Sequence, residues 1–432
     1  MFDVTRIILY VIFFIFMYYT NFWLITYVEE SNTKKSTKRK EIAEWPGISI
    51  VIPMYNEEEN IGPTIDNICD VDYPKDKLKI IVVDDGSKDN SFKFAQEAIE
   101  RNKIKFPDLK LILLRQKNQG KYAAVNHGLK YADTPFFATL DADSYPEKDA
   151  LKKLISEFID ESDDLASVTP ILKVYEPKTL VQKIQWLEYA ITHFYKAILS
   201  LRNAIHVTPG PLAMYRTEII KKLGGFRHGH KTEDMELAIR LQKYHYRIKQ
   251  CDNAHVFTKV PRTWRALLKQ RIRWYLGNLR NVFDYKEMLF NKEYQDFGLF
   301  QFVMIPLSGI LAIALIILLP FSMRESIKAR YLWLKAYNFN VIEFIMDSFK
   351  NFNLDFWFLN LNLTTVVITS LSLIIMFYAL HKGLKIFNQK LNLKKGDFLV
   401  LLVYIFAYFY FIELVWLIVF KDFIFKKEIV WK

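Results

Sequence analysis

Short apolar runs alternate with longer amphipathic stretches through the middle of this chain, and long uncharged runs lie toward both ends. Ile48–Pro53, Ile80–Val83, Leu111–Leu114 and Phe136–Leu140 are compact runs rich in branched or aromatic side chains. Runs this short, with amphipathic segments between them, predict strands alternating with helices in a mostly parallel sheet. Asn56 stands before Glu57, Glu58 and Glu59 and reads as a cap with acids in the first turn. A first helix should therefore start directly after the first strand. Farther on, Leu180, Ile184, Leu187, Ile191, Phe194, Ile198 and Leu201 recur in steps of four and three. Trp264, Leu268, Ile272, Tyr275, Leu279 and Val282 form a second such stripe, just after the break at Pro261. Each predicts a helix with one apolar face, for which two seats stay open, the membrane interface and the protein core.

Ile7–Val28, Phe297–Met323 and Phe356–Leu380 lack charge, and Phe398–Phe420 carries one acid, Glu413. Each is long enough to cross a hydrocarbon layer of about 30 Å. The expected organisation is an anchor over 1–30, a basic linker over 31–46 and an α/β domain over 47–260 that includes an amphipathic helix at 179–202. A second amphipathic helix at 261–290 and a membrane region at 297–432, with spans at 297–323, 356–380 and 398–420, complete it. The first apolar run exceeds a signal-peptide core and no small-residue cleavage site comes after it, so it should stay as an anchor. Lys34, Lys35, Lys38, Arg39 and Lys40 come next, and Lys382, Lys385, Lys390, Lys394 and Lys395 lie between the last two spans. The positive-inside rule puts both segments, and the large polar domain, on the cytoplasmic side of a multi-pass cell-membrane protein. Four crossings then put the C-terminal tail outside, although Lys421, Lys426, Lys427 and Lys432 argue the other way. Glu413 is a candidate for a polar path through the membrane, with a buried pair or snorkelling as the plain alternatives.

Composition narrows the function classes. The net charge of +12 serves span orientation and attraction to anionic headgroups, and it also favours a diphosphate substrate. No basic stripe interleaved with aromatics points to nucleic acid. Cys69 and Cys251 are the only cysteines, too few for a disulfide framework or a cysteine metal site, and both read as buried fillers. Gly120-Lys121 lacks the spacing of a phosphate-binding loop and no Gly-x-Gly-x-x-Gly occurs, so ATPase, kinase and dinucleotide readings lose their support.

Four polar landmarks occur in order along the chain: Asp84-Asp85, Asp141-Ala142-Asp143, Thr232-Glu233-Asp234 and Gln270-Arg271-Ile272-Arg273-Trp274. The first two fall just past expected strands, where ligands sit in parallel sheets, so their carboxylates should converge on one crevice. Asp141 and Asp143 suit Mg2+ or Mn2+ shared with phosphate oxygens; solvated turn acids are the plain alternative. Asp84-Asp85-Gly86 reads equally as a capping turn. Lys121 can meet a phosphate as a point charge, or be a surface lysine at a helix start. Glu233 and Asp234 open a helix, as caps or with Asp234 as a general base. Gln270 and Trp274 share a helix face with Arg273 beside them, suited to a diphosphate and a sugar ring or to a membrane interface. His228-Gly229-His230 reads as a polar loop rather than a metal site.

The runs IPMYNEEENI, VVDDGSKDNS, GKYAAVNHGL, TLDADS, TPGPLAMYR, TEDMELAIRL, VFTKVP and QRIRW, in this order, resemble the membrane-embedded family-2 inverting glycosyltransferases. That group contains the cellulose, chitin, hyaluronan and poly-N-acetylglucosamine synthases. The resemblance implies a GT-A type, Rossmann-like α/β fold and a UDP- or GDP-linked sugar donor. It implies that Pro53, Tyr55, Glu57, Asp84, Asp85, Lys121, Asp141 and Arg273 contact the nucleotide sugar, and that Asp143 with Asp141 holds Mg2+ or Mn2+. It further implies Asp234 as the base activating the acceptor hydroxyl, and Glu233, Gln270 and Trp274 as contacts to a glycan or lipid-linked acceptor. Here the chain departs from the polymer synthases of the group, which commonly have more than four spans. Transfer to a growing, processively extended glycan is the leading expectation. Single-sugar transfer to a lipid carrier and a silent nucleotide-sugar-binding scaffold are its competitors, and a primary transporter has little machinery to support it.

Overall fold

The computed structural model describes residues 4–33, 42, 44–159, 161–322, 324–350, 363–389 and 396–426. The lysines and arginine at 34–40, most of the basic linker, the segment 356–362 and Lys390, Lys394, Lys395, Lys427 and Lys432 lie outside them.

Eight strands form one sheet: β1 (Ile48–Met54), β2 (Leu78–Asp84), β3 (Lys110–Arg115), β4 (Phe136–Thr139), β5 (Ser144–Pro146), β6 (Leu165–Val174), β7 (Met214–Arg216) and β8 (Arg247–Thr258). Their spatial order is β3-β2-β1-β4-β7-β6-β8-β5. The β3-β2-β1-β4 half is parallel throughout, whereas β7 and β5 run antiparallel to their neighbours. Every residue of β1 is buried because its two faces feed different cores. Ile48, Ile50 and Ile52 enter the core with Ile65, Ile68 and Leu154, while Val51 joins Val125, Leu129 and Phe137 on the opposite face. Burial on both sides is why these strands read as unbroken apolar runs.

The first span is α1 (Val4–Thr33), and α2 (Ile61–Cys69), α3 (Ser91–Lys105), α4 (Lys121–Leu129) and α5 (Ala150–Ile159) flank the sheet with α7 (Thr217–Lys222) and α8 (Glu233–Lys243). The two striped helices are α6 (Leu180–Leu201) and α9 (Trp264–Asp284). A first helix starting directly at Asn56 does not form. Asn56 has φ +55° and the helix begins at Ile61. Polar groups of this stretch bond across to the segment after β2 instead: Asn56 Oδ1 accepts from the Lys88 N–H and Glu58 Oε2 from the Asn90 N–H, while the Asn56 and Glu57 N–H groups donate to Ser87 Oγ and Ser91 Oγ. Side chains held by another loop cannot also cap a local helix.

Among the described residues four helices are long and apolar enough to cross a membrane: Ile7–Glu30, Phe297–Phe321, Val366–Ile386 and Asp397–Ile424. The third extends past the expected end at 380, so Lys382 and Lys385 are helical rather than looped, and Lys382 lies over the rings of Tyr27 and Tyr378. Two shorter helices, Arg324–Ala336 and Val341–Lys350, come after the second span. α6 packs on both the sheet and the third apolar helix. Ile184, Leu187 and Ala190 share a core with Ile171 of β6 and with Leu380 and Leu384 of the third span. A capping box between Thr179 and Gln182 starts it. Polar ties fasten the spans to the sheet domain: Trp186 Nε1 donates to Gln389 Oε1 at 2.5 Å, His255 Nε2 lies 3.1 Å from the Ile386 carbonyl, and Lys183 pairs with Asp397 at 3.5 Å. Glu413 is buried within the last span.

Inside α8, Arg240 is 1% exposed and donates to both Glu236 carboxylate oxygens and to the Leu223 and Gly225 carbonyls. Tyr285 donates its hydroxyl hydrogen to the same carboxylate. Removing the guanidinium leaves buried Glu236 with only the exposed Arg227, 3.9 Å away, so Arg240→Leu should cost about 3–5 kcal/mol, measured as equilibrium unfolding of the detergent-solubilised chain.

Candidate active site

Because β1, β2 and β4 run parallel, the segments at their carboxyl ends open on one edge of the sheet. Pro53 is inside β1, opposite Val83, and is buried; Tyr55 comes just after that strand and is 40% exposed. Asp84 and Asp85 end β2 and are almost wholly buried. Asp84 pairs with Arg115 Nε at 2.9 Å and accepts from the Ser87 N–H. Asp85 accepts from the N–H groups of Gln119 and Gly120 at 2.9 and 2.8 Å and from Gln116 Nε2 at 2.8 Å. That carboxylate therefore shapes the loop from which α4 starts, with Lys121 as its first residue.

Lys121 is not a surface lysine. Its ammonium stands 2.5 Å from Asp141 Oδ1 and 3.4 Å from Glu233 Oε1. Burial disfavours the ammonium, but Asp141, Glu233 and Asp234 outweigh it and hold Lys121 above its ordinary range. The lid over this pair is backbone: the Thr208–Arg216 stretch bonds to β4 through Thr139 Oγ1 to the Gly210 carbonyl and the Leu212 N–H to the Thr139 carbonyl. A Cβ on Gly210 would lie 2.6 Å from Lys121 Nζ and 2.7 Å from Asp141 Oδ1. A side chain here would displace the tips of Lys121 and Asp141.

Asp143 turns from β4 toward β5 and accepts from Ser144 Oγ at 3.2 Å. Burial, then the neighbouring Asp141 and Glu57 carboxylates, push it up to about 7. Glu57 is raised by burial, with Asp141 and Asp89 adding to it, and accepts from Asn60 Nδ2. Lys259, leaving β8, donates to Asn60 Oδ1 and closes this side of the crevice. Among the described residues no three His, Cys, Asp or Glu side chains gather to hold a metal alone. Asp141 and Asp143 are instead a pair of carboxylates of the kind that share a hard cation with phosphate oxygens.

On the far side of Lys121, Asp234 sits in the first turn of α8 and accepts from the Met235 N–H at 2.9 Å. Desolvation in the crevice and the Glu233 carboxylate push it up to about 6, against the pull of Lys121 and Arg273. Thr208 donates its hydroxyl to the Asp234 carbonyl at 3.0 Å. The α9 motif divides in two. Gln270 and Trp274 gather around Arg271, whose Nη1 donates to Gln270 Oε1 and whose guanidinium lies 4.4 Å from the Trp274 ring centroid. Arg271 itself is 1% exposed and anchored on Glu188 of α6 at 2.5 Å. Arg273 points elsewhere and donates to the Lys231 carbonyl at 3.0 Å. His230 has a carboxylate partner that sequence spacing hid, Asp284 of α9 at 2.8 Å.

A cavity of about 330 Å³ lies between the first, second and fourth spans and α9, lined by residues that include Tyr19, His206, Tyr275, Asn278, Gln301 and Trp416. Tyr275 and Trp416 stack at 4.8 Å between centroids, and Gln301 bonds to both Tyr19 and His206. His206 is two residues from the Thr208 that holds Asp234.

Residues 49–224 match the family described as glycosyl transferase family 2. They are a family-2 glycosyltransferase domain. A poly-beta-1,6-N-acetyl-D-glucosamine synthase of Staphylococcus epidermidis is 32% identical over 232 residues, 54% of this chain and 54% of that protein. The synthase of the same name from Staphylococcus aureus strain COL is 31% identical over 248 residues, 56% of this chain and 58% of that one. The chain thus spans about half the length of the curated relatives it matches. The solved structure of the mannosyltransferase PcManGT from Pyrobaculum calidifontis, in complex with GDP-Man and Mn2+, has a TM-score of 0.61 over 99% of this chain and 100% of that one. At 19% identity the two share the fold. The family-2 match takes in Asp84, Asp141, Lys121 and Gly210 and ends before Asp234 and the α9 motif.

Gly210→Ala should displace the Lys121 and Asp141 side-chain tips, and any nucleotide-sugar affinity that depends on this pair should fall by about tenfold or more, the equivalent of one misplaced charge-assisted contact. Calorimetric titration with UDP- and GDP-sugars checks this against the wild type.

Proposed function

We propose that this chain moves a sugar from a UDP- or GDP-linked donor to a growing glycan at the cytoplasmic face of the cell membrane, with inversion and with a divalent cation. The observation that carries the reading is Lys121, one ammonium within reach of both Asp141 on the donor side and Glu233 beside Asp234. In this reading Asp141 and Lys121 face the diphosphate, and Pro53, Tyr55, Glu57, Asp84 and Asp85 line or support the nucleotide side. Asp234 accepts the acceptor hydroxyl proton as that oxygen attacks the anomeric carbon and the bond to the diphosphate breaks. Arg273 completes the positive side of the crevice, and Glu233, Gln270 and Trp274 face the acceptor.

Asp141 and Asp143 fit Mg2+ or Mn2+, because burial together with repulsion from Asp141 and Glu57 is what holds the Asp143 proton. Asp141 and Asp143 would hold that cation, which would supply charge neutralisation for the departing diphosphate. A saccharide acceptor agrees with the aromatic and amide lining of the intramembrane cavity, since stacked rings and amides suit sugar faces and hydroxyls. The cytoplasmic siding rests on the basic segment after the first span.

Asp234→Asn should keep donor affinity within about twofold while transfer falls by about 10²–10⁴-fold, the range for a lost general base. Unchanged turnover in membranes given labelled donor would defeat the assignment. Because the base must be ionised, the acid limb of kcat should lie near pH 6 and activity should fall below it. The raised Asp143 works in the opposite sense on stability: its contribution is present at low pH and is lost as pH rises through about 7. Mn2+ should therefore raise the unfolding temperature more at pH 8 than at pH 5.5, and equal shifts at the two pH values would count against the Asp143 site.

A further inference from the structure

Immediately before Glu233 the backbone makes a turn in which three successive residues have left-handed geometry: Gly229 at φ +50°, His230 at +51° and Lys231 at +66°. Side chains other than glycine rarely take up this region, so two such residues in a row need outside support. That support comes along one face of α9 and from Thr232 itself. Arg273, Gly277, Asn281 and Asp284 succeed one another in steps of four, four and three and so share a helix face. Arg273 Nη1 donates to the Lys231 carbonyl at 3.0 Å. Asn281 Nδ2 donates to the Gly229 carbonyl at 3.1 Å and to Thr232 Oγ1 at 2.8 Å. Asp284 Oδ2 meets His230 Nε2 at 2.8 Å. Gly277 leaves room for the turn to lie directly on the helix, since a Cβ there would stand 2.6 Å from Thr232 Oγ1 and 3.1 Å from the His230 carbonyl.

Thr232 transmits this grip to the reacting groups. Its hydroxyl donates to the Gly229 carbonyl at 2.7 Å, and its own carbonyl accepts the Met235 and Glu236 N–H groups that begin α8. Glu233 and Asp234 lie between those anchors. Asn281 is fully buried and Thr232 is 4% exposed, so the contact is dry and stiff. We propose that Gly277 and Asn281, acting through Thr232, are positioning residues that aim Asp234 for transfer. The helix that carries Gln270 and Trp274 thus sets the base as well as facing the acceptor, and the two cannot shift independently. This rests on the reading of Asp234 as the base.

The test uses the full chain in membranes and in detergent, with labelled UDP-N-acetylglucosamine and, in parallel, GDP-mannose as donors. Gly277→Ala, Asn281→Ala and Thr232→Val should each lower kcat per folded enzyme by about 10- to 100-fold, the effect of a displacement near 1 Å, with donor KM changed less than about threefold. Thr232→Ser keeps the hydroxyl and should restore most of the wild-type kcat. A purely structural role would instead reduce the amount of folded protein and leave kcat per folded enzyme as it was, and that result overturns the proposal. Should the buried variants fail to accumulate, Asp284→Ala at the exposed end of the contact decides. A fall in kcat of about threefold or more supports the clamp, and an unchanged kcat overturns it. Asp234→Asn separates the two claims: if it retains full transfer, the base assignment itself falls, whereas if it is inactive while the clamp variants match wild type, only the clamp does.

Discussion

The ammonium of Lys121 holds together groups that would otherwise repel one another. Asp141 comes from the end of β4, Glu233 and Asp234 from the start of α8, and Lys121 from the start of α4. With Asp141, Glu233 and Asp234 around one half-buried crevice, a cation among them offsets their repulsion. The fold delivers that cation by a chain of short-range constraints. Asp85 accepts the loop N–H groups that lead into α4, parallel strands bring β2 and β4 to one edge, and the absence of a side chain at Gly210 lets the covering segment lie on the pair.

The membrane region is joined to this crevice rather than merely attached beside it. α6 shares its core with the sheet and the third span, and α9 stacks Tyr275 on Trp416 of the fourth. On its other faces α9 holds Gln270 and Trp274 through Arg271 and the turn before Asp234 through Arg273, Gly277 and Asn281. In the proposed reading, a glycan emerging between the spans and the base that extends it are referred to the same helix. The cavity beside His206 is lined in part by Tyr275 and Asn278 of that same helix.

The strand-end placement of Asp84 and Asp141 was legible in the sequence for a physical reason. Strands buried on both faces read as unbroken apolar runs, and a parallel sheet gathers the carboxyl ends of its strands on one edge. Asp84, Asp141 and the elements around them could therefore be placed from spacing alone. The features that escaped depended on contacts between distant segments. Lys121 was named as a phosphate contact, but its pairing with Asp141 and Glu233 has no local signal, and His230 lacks a carboxylate until α9 supplies Asp284. Asn56 looks like a cap because the group that takes its side-chain oxygen, the Lys88 N–H, lies in another loop. Arg271 was visible inside the motif, yet its burial against Glu188 and Trp274 has no local signal. The seat of α6 could not be chosen from its stripe, because a helix packed on both a sheet and a span shows the same period as one packed on either.

If a single lysine serves both halves of the site, Lys121→Met tests it most directly. Donor affinity and the rate of transfer at saturating donor are to be measured on the same preparation, with UDP-N-acetylglucosamine and GDP-mannose compared. Both should fall, affinity because Asp141 loses its counter-charge and turnover because Glu233 and Asp234 lose theirs. Transfer at saturating donor equal to that of the wild type would contradict a shared role for this ammonium.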